Sequence, residues 1–576
     1  MRTILFLSLS LLLVGLVWFA TPVNAQVIDT SLNFGPPLDV PLYLSGTFAE
    51  PRANHFHGGL DIRTESREGL KVYAVQEGFV SRIKIAAFGY GNAIYIEHPN
   101  GYTSVYAHLS GFNAEIAQYI HQLHYQKESC NLDEVVPAGK LKVKKGEMVA
   151  YSGNTGGSGG PHLHFELRNT ITENAINPLL YGFLVNDKMA PIIHNVYVYP
   201  KDDNLTGPVS YAARKTTTGY RLMKDTLYFN TDTITFGLHA TDKMENSGST
   251  NGIYSLEVLV DDSAIYRFHM DSVSFAETRY VQCHVDHAEK VNDNNTVYRC
   301  HRLPGNNFSF VYDVQKNDGY LAINDSILHK VVLVSKDFQG NASNLTFYVG
   351  KSITSNAFKL QVLNFDTVFY HNRSNTFYGA GLKAQFSENT FYNKVFFNYD
   401  VDSIQLKNLQ AMGPLHRLHK DSEPAHNSYS LSLFVNEVPQ HLHPKGVMVR
   451  IDRNGRIKPY STTHEGSWFT ANPKEFGNFT LVLDTLPPVI RPYNFVAGAV
   501  ITGKKDIRFT ISDNLSNIDT YRATINGKWV LLTYDYKNNL LFYTLDEHCP
   551  AGELNFELVV TDKAGNSATY MCTFKN

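Results

Sequence analysis

Apolar and polar residues alternate along most of the chain beyond residue 40, and this period of two is the spacing of half-buried β-strands. Residues 70–85, LKVYAVQEGFVSRIKI, alternate on both sides of a Glu-Gly turn. Residues 92–109, NAIYIEHPNGYTSVYAHL, predict a hairpin around Asn100-Gly101. The 34 Tyr and 35 Phe lie largely in Val/Ile/Thr-rich runs, which favour strands. We therefore expect an all-β protein.

One segment of this region has helical periodicity instead, residues 113–129, NAEIAQYIHQLHYQKES. Its apolar residues recur at three- and four-residue spacing, at Ile116, Tyr119, Ile120 and Leu123. Asn113 is suited to cap the N-terminus of this helix. We expect a helical insertion between two strands, with His121 and His124 at solvent-exposed positions.

The first 25 residues have the pattern of a secretory signal peptide. Arg2 precedes an almost wholly apolar run, Ile4 to Ala20, and Val23-Asn24-Ala25 forms a small-x-small cleavage pattern. An uncleaved N-terminal anchor is the alternative, although the apolar run is short for a membrane span. No later segment reaches the roughly 18 uninterrupted apolar residues of a span. We expect an exported protein of the periplasm, cell envelope or extracellular space.

The remaining chain is long enough for three or four domains, and a short internal repeat marks their borders. Asp187-Lys-Met-Ala-Pro-Ile-Ile matches Asp484-Thr-Leu-Pro-Pro-Val-Ile, and Asp337-Phe-Gln-Gly-Asn matches Asp562-Lys-Ala-Gly-Asn. We expect two related immunoglobulin-like β-sandwiches and a third sandwich between them. The predicted units are the first domain (26–186), the first sandwich (187–350), the second sandwich (351–483) and the third sandwich (484–576).

Charge does not indicate a partner. The net charge is −3, from 51 basic and 54 acidic residues, and no long run of one sign favours nucleic acid or an anionic membrane. The five cysteines are too few for a disulfide scaffold, although export permits bridges. Cys283 with Cys300, and Cys549 with Cys572, are possible pairs, which leaves Cys130 as a buried free thiol.

Three stretches of the first domain carry the candidate chemistry: HFHGGLDI with His57 and Asp61, YAHL with His108, and GPHLHFEL with His162 and His164. A strand directs every second side chain to one face, so His162 and His164 point the same way. A catalytic zinc site needs three nitrogen or oxygen ligands and an open position, and two histidines with one carboxylate form such a set. His57, Asp61 and His164 would fill it. His108 and His162 would then serve as base and as oxyanion donor.

These three motifs, in this order, resemble those of the lysostaphin-type (LytM-like) zinc metallopeptidases, which cut peptide cross-links of bacterial peptidoglycan. The resemblance covers roughly residues 40–185 and implies one zinc ion held by His57, Asp61 and His164. It also implies that His108 and His162 are catalytic. The family spacing of four residues to Asp61 selects His57 as the ligand over His55, which we expect in a supporting or surface role.

Two further features of this region have a structural alternative. Glu166 lies two residues beyond His164 and is predicted to orient this ligand through a hydrogen bond, although a strand salt bridge is equally consistent with it. Residues 153–160, GNTGGSGG, lack the Gly-Lys-Ser/Thr ending of a phosphate-binding loop. We interpret them as a flexible lip that lets a substrate backbone approach the metal.

The sequence therefore predicts an exported zinc metalloendopeptidase that hydrolyses peptidoglycan cross-links, with sandwiches that dock on the wall or on an envelope protein. One alternative is a non-catalytic envelope scaffold that binds peptidoglycan or activates an amidase, as family members without zinc ligands do. The complete set of five motif residues argues against it. Another alternative is a secreted protease acting on Gly-rich proteins, which uses the same chemistry.

Overall fold

The computed structural model describes residues 29–183, 185–245, 247–308, 311–407 and 409–576. The signal peptide predicted for residues 1–25 lies outside these ranges and stays a prediction. No helix among the described residues has both the length and the apolar composition required to cross a membrane. The chain is mostly β-structure, with an antiparallel sheet domain followed by several β-sandwiches, as predicted.

The described residues of the first domain form twelve strands, one α-helix, α1 (Ala114–Lys127), and a short 3-10 helix, Pro178–Tyr181. Its strands are β1 (Leu44–Gly46), β2 (Leu60–Arg63), β3 (Lys71–Tyr73), β4 (Gly78–Ile85), β5 (Ala93–Glu97), β6 (Tyr102–Ala107), β7 (Gly111–Phe112), β8 (Leu132–Val135), β9 (Lys142–Val143), β10 (Met148–Tyr151), β11 (His162–Asn169) and β12 (Ala175–Ile176). The main sheet has the order β1-β2-β11-β6-β5-β4-β8, and β3-β10-β7 form a second sheet.

Helix α1 is present between β7 and β8, as the insertion predicted from the sequence. The Asn113 side chain accepts a hydrogen bond from the Ile116 backbone N–H at 2.9 Å and so caps the first turn. Ile116 and Ile120 are buried, as their spacing predicts. The predicted exposure of His124 is wrong: it is 4% exposed, and its Nδ1 lies 2.6 Å from the Ser129 carbonyl oxygen. That carbonyl satisfies the imidazole, which allows it to be buried.

The first sandwich contains β13 to β24 and two short helices, α2 (Val281–His284) and α3 (His287–Asp293), which the sequence pattern did not predict. The strands are β13 (Ile192–Pro200), β14 (Val209–Thr216), β15 (Gly219–Phe229), β16 (Thr233–Thr241), β17 (Ser255–Val260), β18 (Ser263–His269), β19 (Ser272–Val273), β20 (Val297–Arg299), β21 (Tyr312–Gln315), β22 (Leu321–Ala322), β23 (His329–Lys336) and β24 (Ala342–Lys351). Strand β19 pairs with β12, so the sheet of the first domain continues into this sandwich.

The second sandwich has its own hydrophobic cluster between two five-stranded sheets. Its strands are β25 (Thr367–Phe369), β26 (Asn375–Gly379), β27 (Leu382–Phe386), β28 (Val395–Phe397), β29 (Tyr399–Asp402), β30 (Leu415–Leu418), β31 (Ser430–Phe434), β32 (Gly446–Ile451), β33 (Ile457–Tyr460), β34 (Thr463–Glu465), β35 (Trp468–Ala471) and β36 (Gly477–Leu483).

The third sandwich packs two four-stranded sheets over another cluster. Its strands are β37 (Val489–Pro492), β38 (Asp506–Ser512), β39 (Ile518–Ile525), β40 (Lys528–Val530), β41 (Leu532–Asp535), β42 (Leu540–Thr544), β43 (Glu553–Asp562) and β44 (Ser567–Lys575).

The chain folds back so that the third sandwich contacts the helix of the first domain. The Tyr125 ring stacks on His548 with centroids 3.6 Å apart, and His121 Nε2 lies 3.0 Å from Glu547 Oε1. Arg522 and Glu128 form an ion pair of 2.7 Å across the same contact. Helix α1 is therefore held by the last unit of the chain.

All five cysteines are free thiols, so neither of the two possible pairs, Cys283 with Cys300 and Cys549 with Cys572, is formed. Cys283 and Cys300 are 0% and 1% exposed inside the hydrophobic cluster shared by the first domain and the first sandwich. They pack there as small apolar side chains. Cys130 is partly buried and packs against the cluster of the third sandwich.

Candidate metal centre

Three of the predicted side chains converge because β2 pairs with β11. The antiparallel register places His164 directly opposite Asp61, and residues opposite one another in a ladder share a face. His57 lies in the turn that leads into β2 and is 5% exposed. A ligand from the turn thus joins one ligand from each of two neighbouring strands.

The three facing atoms lie within hydrogen-bond distance of one another. His57 Nε2 is 3.0 Å from Asp61 Oδ1 and 3.1 Å from His164 Nδ1, and His164 Nδ1 is 2.9 Å from Asp61 Oδ1. Ligand atoms around a tetrahedral zinc ion, at about 2.0–2.1 Å from the metal, lie about 3.3 Å apart. The two nitrogens and one oxygen therefore fit a zinc ion in both donor type and spacing.

The outer nitrogens of both imidazoles have acceptors, which leaves the inner nitrogens free to bind a metal. His57 Nδ1 lies 2.8 Å from the Thr47 carbonyl oxygen, and His164 Nε2 lies 2.8 Å from Glu166 Oε1. Each outer nitrogen donates to this acceptor, so His57 Nε2 and His164 Nδ1 are the nitrogens that would bind a metal. The site is thereby oriented before any ion binds.

Glu166 is 0% exposed, and both of its carboxylate oxygens have partners. Arg168 donates to Oε2 at 2.7 Å from Nε and at 2.6 Å from a terminal nitrogen. Tyr90 donates its hydroxyl to Oε1 at 2.5 Å. Both contacts considered for Glu166 are present, since this carboxylate hydrogen-bonds to His164 and pairs with the Arg168 guanidinium. Tyr90 and Arg168 were not predicted, since neither lies in a metal-binding motif.

His108 and His162 lie beside the three facing atoms. Their ring centroids are 4.8 Å apart, and His162 Nε2 is 3.3 Å from Asp61 Oδ1. His108 Nδ1 donates to the Thr155 carbonyl oxygen at 2.8 Å, and His162 Nδ1 donates to that of Gly160 at 2.9 Å. His162 Nε2 therefore faces Asp61, and His108 Nε2 is not used by the hydrogen bond that Nδ1 makes.

His108 has a left-handed backbone, with φ of 59°, a conformation that costs a residue with a Cβ about 1–2 kcal/mol. Its N–H donates to the Tyr90 carbonyl oxygen at 2.9 Å, which together with the bond to Thr155 holds this turn. The turn carries His108 out of β6 and over β11. Backbone strain of this kind is found at functional sites. The local sequence did not predict the left-handed conformation of His108.

The electrostatics of the site favour a positive charge at its centre. Burial would raise the pKa of Asp61, but its imidazole partners hold this pKa well below its usual range. Burial acts to lower the pKa of His164, yet hydrogen bonds with Asp61 and Glu166 raise it to about 9. Burial and the two neighbouring imidazoles lower the pKa of His108 to about 3, so His108 is neutral at pH 7.

The five side chains line a cavity of about 830 Å³. The glycine-rich residues 157–160 form one side of it. Phe275 and Thr278 of the first sandwich form another, and the Thr278 hydroxyl accepts from the Phe56 N–H at 2.8 Å. None of the described residues that line this cavity belongs to α1. His55 is exposed at the rim, as expected.

Comparisons with known proteins agree with this geometry. Residues 55–124 and 119–178 match peptidase family M23, and residues 366–484 match a Zu5-like domain. An uncharacterized metalloprotease of Haemophilus influenzae is 36% identical over 123 residues, which are 21% of this chain and 20% of that protein. The DD-carboxypeptidase/endopeptidase Mpg of Neisseria meningitidis is 34% identical over 123 residues, 21% of this chain and 22% of that protein.

The two curated relatives match about a fifth of this chain. The chain spans about a fifth of the length of these two curated relatives. Among solved structures, the catalytic domain of lysostaphin from Staphylococcus simulans is 26% identical, with a TM-score of 0.18, over 24% of this chain and 86% of that one. The chain therefore contains a domain of peptidase family M23.

Proposed function

We propose that the protein is an exported zinc metalloendopeptidase that hydrolyses peptide cross-links of peptidoglycan in the cell envelope. The observation that supports it most is the convergence of His57, Asp61 and His164, with the Nε2 atoms of His108 and His162 beside them in an open cavity. The two curated relatives are named as a metalloprotease and as a DD-carboxypeptidase/endopeptidase.

In this proposal His57 Nε2, His164 Nδ1 and Asp61 Oδ1 hold one zinc ion. Zinc supplies Lewis-acid chemistry there, polarising a peptide carbonyl and lowering the pKa of water to about 7. Glu166 keeps His164 in the required tautomer and orientation.

His108 and His162 are proposed to handle the proton and the developing negative charge. A neutral imidazole accepts a proton at a free Nε2, and once protonated it donates to an oxyanion or to a leaving amine. Both imidazoles are fixed at Nδ1 by backbone carbonyls, so both present Nε2 to the cavity. The two roles are shared between His108 and His162.

The cavity supports a peptide substrate in an extended conformation. Residues 157–160 are glycines apart from Ser158, so a peptide backbone can approach closely along this side. The first sandwich contributes the opposite wall through Phe275 and Thr278. We propose that this wall restricts which cross-links reach the metal, and that the other two sandwiches bind the cell wall or an envelope protein.

The proposal is tested by digestion of purified sacculi, with mass spectrometry of the released fragments and metal analysis of the protein. We expect one zinc per chain and release of peptide-linked fragments that stops when zinc is removed and returns when it is restored. Zinc-loaded protein that binds sacculi and releases nothing contradicts a hydrolase and supports the activating scaffold instead.

The docking role is tested with a chain that ends at residue 483. We expect weaker sacculus binding than for the full chain, with zinc content unchanged. Unchanged binding contradicts a docking role for the third sandwich.

A further inference from the structure

Three aspartates of the first sandwich form a second kind of cluster, away from the histidines. Asp187 precedes β13, Asp242 follows β16 and Asp337 follows β23, and one carboxylate oxygen from each lies within 4.8 Å of the others. The three residues are 6%, 4% and 3% exposed. Three carboxylates are thus gathered in the interior where the sandwich begins.

The third sandwich repeats this cluster. Asp484 precedes β37, Asp513 follows β38 and Asp562 ends β43, and their carboxylate oxygens again lie within 4.8 Å of one another. Asp484 is 0% and Asp562 1% exposed, while Asp513 is half-buried. Two of the three positions in each cluster come from the internal repeat, and the third was not recognised in the sequence.

The two clusters are built in the same way. The Asn341 side-chain amide donates to Asp337 Oδ2 at 2.6 Å and to the Asp187 carbonyl oxygen at 3.1 Å. The Asn566 amide donates to Asp562 Oδ2 at 2.8 Å and to the Asp484 carbonyl oxygen at 2.9 Å. In the first sandwich β13 pairs with β16, which leads to Asp242. In the third sandwich β37 pairs in the same way with β38, which leads to Asp513.

Each cluster has a buried carboxylate oxygen for which the described part of the chain offers no hydrogen-bond partner. Asp242 Oδ1 and Asp484 Oδ1 have no hydrogen-bond partner among the described residues, although both side chains are more than nine-tenths buried. Asp513 Oδ1 likewise has no partner in the described part of the chain. A buried unpaired carboxylate is costly, so an oxygen left this way in both copies points to a missing cation.

Asn251 gives independent evidence for a ligand at the first cluster. Asp242 and Asn251 exchange both backbone hydrogen bonds, at 2.9 and 2.8 Å, so their side chains lie on one face of this bridge. Asn251 is 4% exposed, and neither its Oδ1 nor its Nδ2 has a partner within the described ranges. A neutral oxygen donor is therefore buried beside the three carboxylates.

The charges in the first cluster repel one another without compensation. Burial, reinforced by Asp337 and Asp187, raises the pKa of Asp242 to about 8. Burial also raises the pKa of Asp337 to about 6. In the second cluster, burial and the charges of Asp513 and Asp562 raise the pKa of Asp484. A bound divalent cation would lower these pKa values, because it supplies a positive charge beside the three carboxylates.

We propose that each of the two aspartate clusters binds one calcium ion. All the donors are oxygens, from carboxylates and, at the first cluster, an amide, and an all-oxygen set is typical of hard cations, whereas protein zinc sites include nitrogen or sulfur ligands. Calcium accepts six to eight oxygens in irregular geometry, whereas magnesium requires a near-ideal octahedron. Donors contributed by three separate segments favour the more permissive ion.

The first calcium site would also stabilise one wall of the candidate metal centre. The loop between Asp242 and Asn251 contacts the first domain, where Ser247 Oγ donates to the Leu44 carbonyl oxygen at 2.5 Å and Arg63 donates to Ser249 Oγ at 3.1 Å. Leu44 and Arg63 belong to β1 and β2, and β2 carries Asp61. Calcium at this cluster would fix the loop that packs against that strand.

The second site would fix the start of the third sandwich against the second. The Asp484 N–H donates to the Lys445 carbonyl oxygen at 2.9 Å, and Lys445 Nζ donates to the Ala564 carbonyl oxygen at 2.9 Å. Ala564 lies in the turn after Asp562, so both ends of the cluster contact the second sandwich at Lys445. Calcium would therefore make this junction more rigid.

The test is calcium titration calorimetry on the full-length, zinc-loaded protein after removal of calcium, together with thermal unfolding. We expect two calcium ions per chain and a higher unfolding midpoint in calcium than in magnesium. D242N and D484N should each bind one ion, and the double variant none. The matched controls D225N and D519N change exposed aspartates of the same sandwiches and should still bind two.

Several results of the same experiment would contradict calcium binding at the two aspartate clusters. No heat and no change in midpoint up to about 10 mM calcium, above the range of extracellular calcium modules, overturns the proposal. The same holds if the double variant still binds two ions, or if magnesium gives the same stabilisation as calcium. Zinc content, measured on the same samples, should stay at one per chain, so that a defect of the histidine site is recognised separately.

Discussion

The histidine site and the two aspartate clusters each bring three ligand-type side chains within 4.8 Å, yet they differ in donors and in access. The histidine site offers two nitrogens and one oxygen at the wall of a cavity of about 830 Å³. The aspartate clusters offer oxygens alone, packed beneath turns of the sandwiches. An open face lets a substrate reach the metal, whereas a closed set of oxygens only holds segments together.

The sites differ also in how their ligands are supported without metal. The outer nitrogens of His57 and His164 each have an acceptor at 2.8 Å, so the histidine site is organised in advance. Asp242 and Asp484 each keep an oxygen with no partner among the described residues. We therefore expect zinc chiefly to enable chemistry and calcium chiefly to stabilise the fold.

The largest effect is expected from Asp61→Ala. It removes the carboxylate that faces three imidazoles, so zinc binding and hydrolysis should be lost together. Metal analysis and sacculus digestion measure both. D39A, at an exposed aspartate of the same domain, is the control and should retain zinc and activity. Zinc retained at wild-type affinity in D61A would exclude Asp61 as a ligand.

His162→Ala separates catalysis from metal binding. His162 Nε2 faces the candidate metal centre but is not one of the three proposed zinc ligands. Activity should therefore fall about 10²- to 10⁴-fold, the usual contribution of a general acid or base. Zinc content should be unchanged. H55A, at an exposed histidine on the same cavity, should behave as wild type. Loss of zinc from H162A would show that His162 is a ligand.

Glu166→Gln should have a smaller effect. The amide keeps the shape of the side chain but loses the charge that holds His164 and Arg168, so zinc affinity or kcat/KM should fall about 10- to 100-fold. Competitive chelation and initial rates measure the two quantities. E173Q removes the exposed carboxylate on the other side of Arg168 and should change neither. If zinc affinity and kcat/KM both keep their wild-type values in E166Q, Glu166 has only a structural role.

The smallest effect is expected from Asn251→Ala, which removes a neutral donor from the first aspartate cluster. Calcium affinity at that cluster should weaken several-fold while the second cluster and the zinc site are unaffected, because three carboxylates remain. Titration in the D484N background isolates the first cluster. Unchanged affinity would show that the Asn251 side chain does not contribute a ligand.

Much of the candidate site was predictable from short-range pattern. Alternation predicted that His162 and His164 share a face, and the helical spacing after Asn113 predicted α1. The motif spacing selected His57 over His55, which the structure leaves exposed. Each of these predictions depends on residues a few positions apart, where backbone geometry leaves few alternatives.

Predictions that depended on distant parts of the chain were less successful. The two cysteine pairs that the sequence left possible are not formed, because spacing along the chain does not indicate which side chains approach each other. His124 was expected at the surface, but the carbonyl of Ser129 and the packing of α1 bury it. The contribution of Phe275 and Thr278 to the cavity depends on the placement of the first sandwich, which no motif encodes.

The sequence by itself predicted a strand-rich fold, helix α1, the five side chains of the candidate metal centre and a repeat that contains two of the three aspartates in each cluster. Only the tertiary structure decided that Asp242 and Asp513 complete those clusters, that Glu166 is held by Arg168 and Tyr90, and that the turn at His108 is left-handed. The reason is physical: local periodicity follows from neighbouring residues, whereas sheet order and register bring together groups that are remote in the chain.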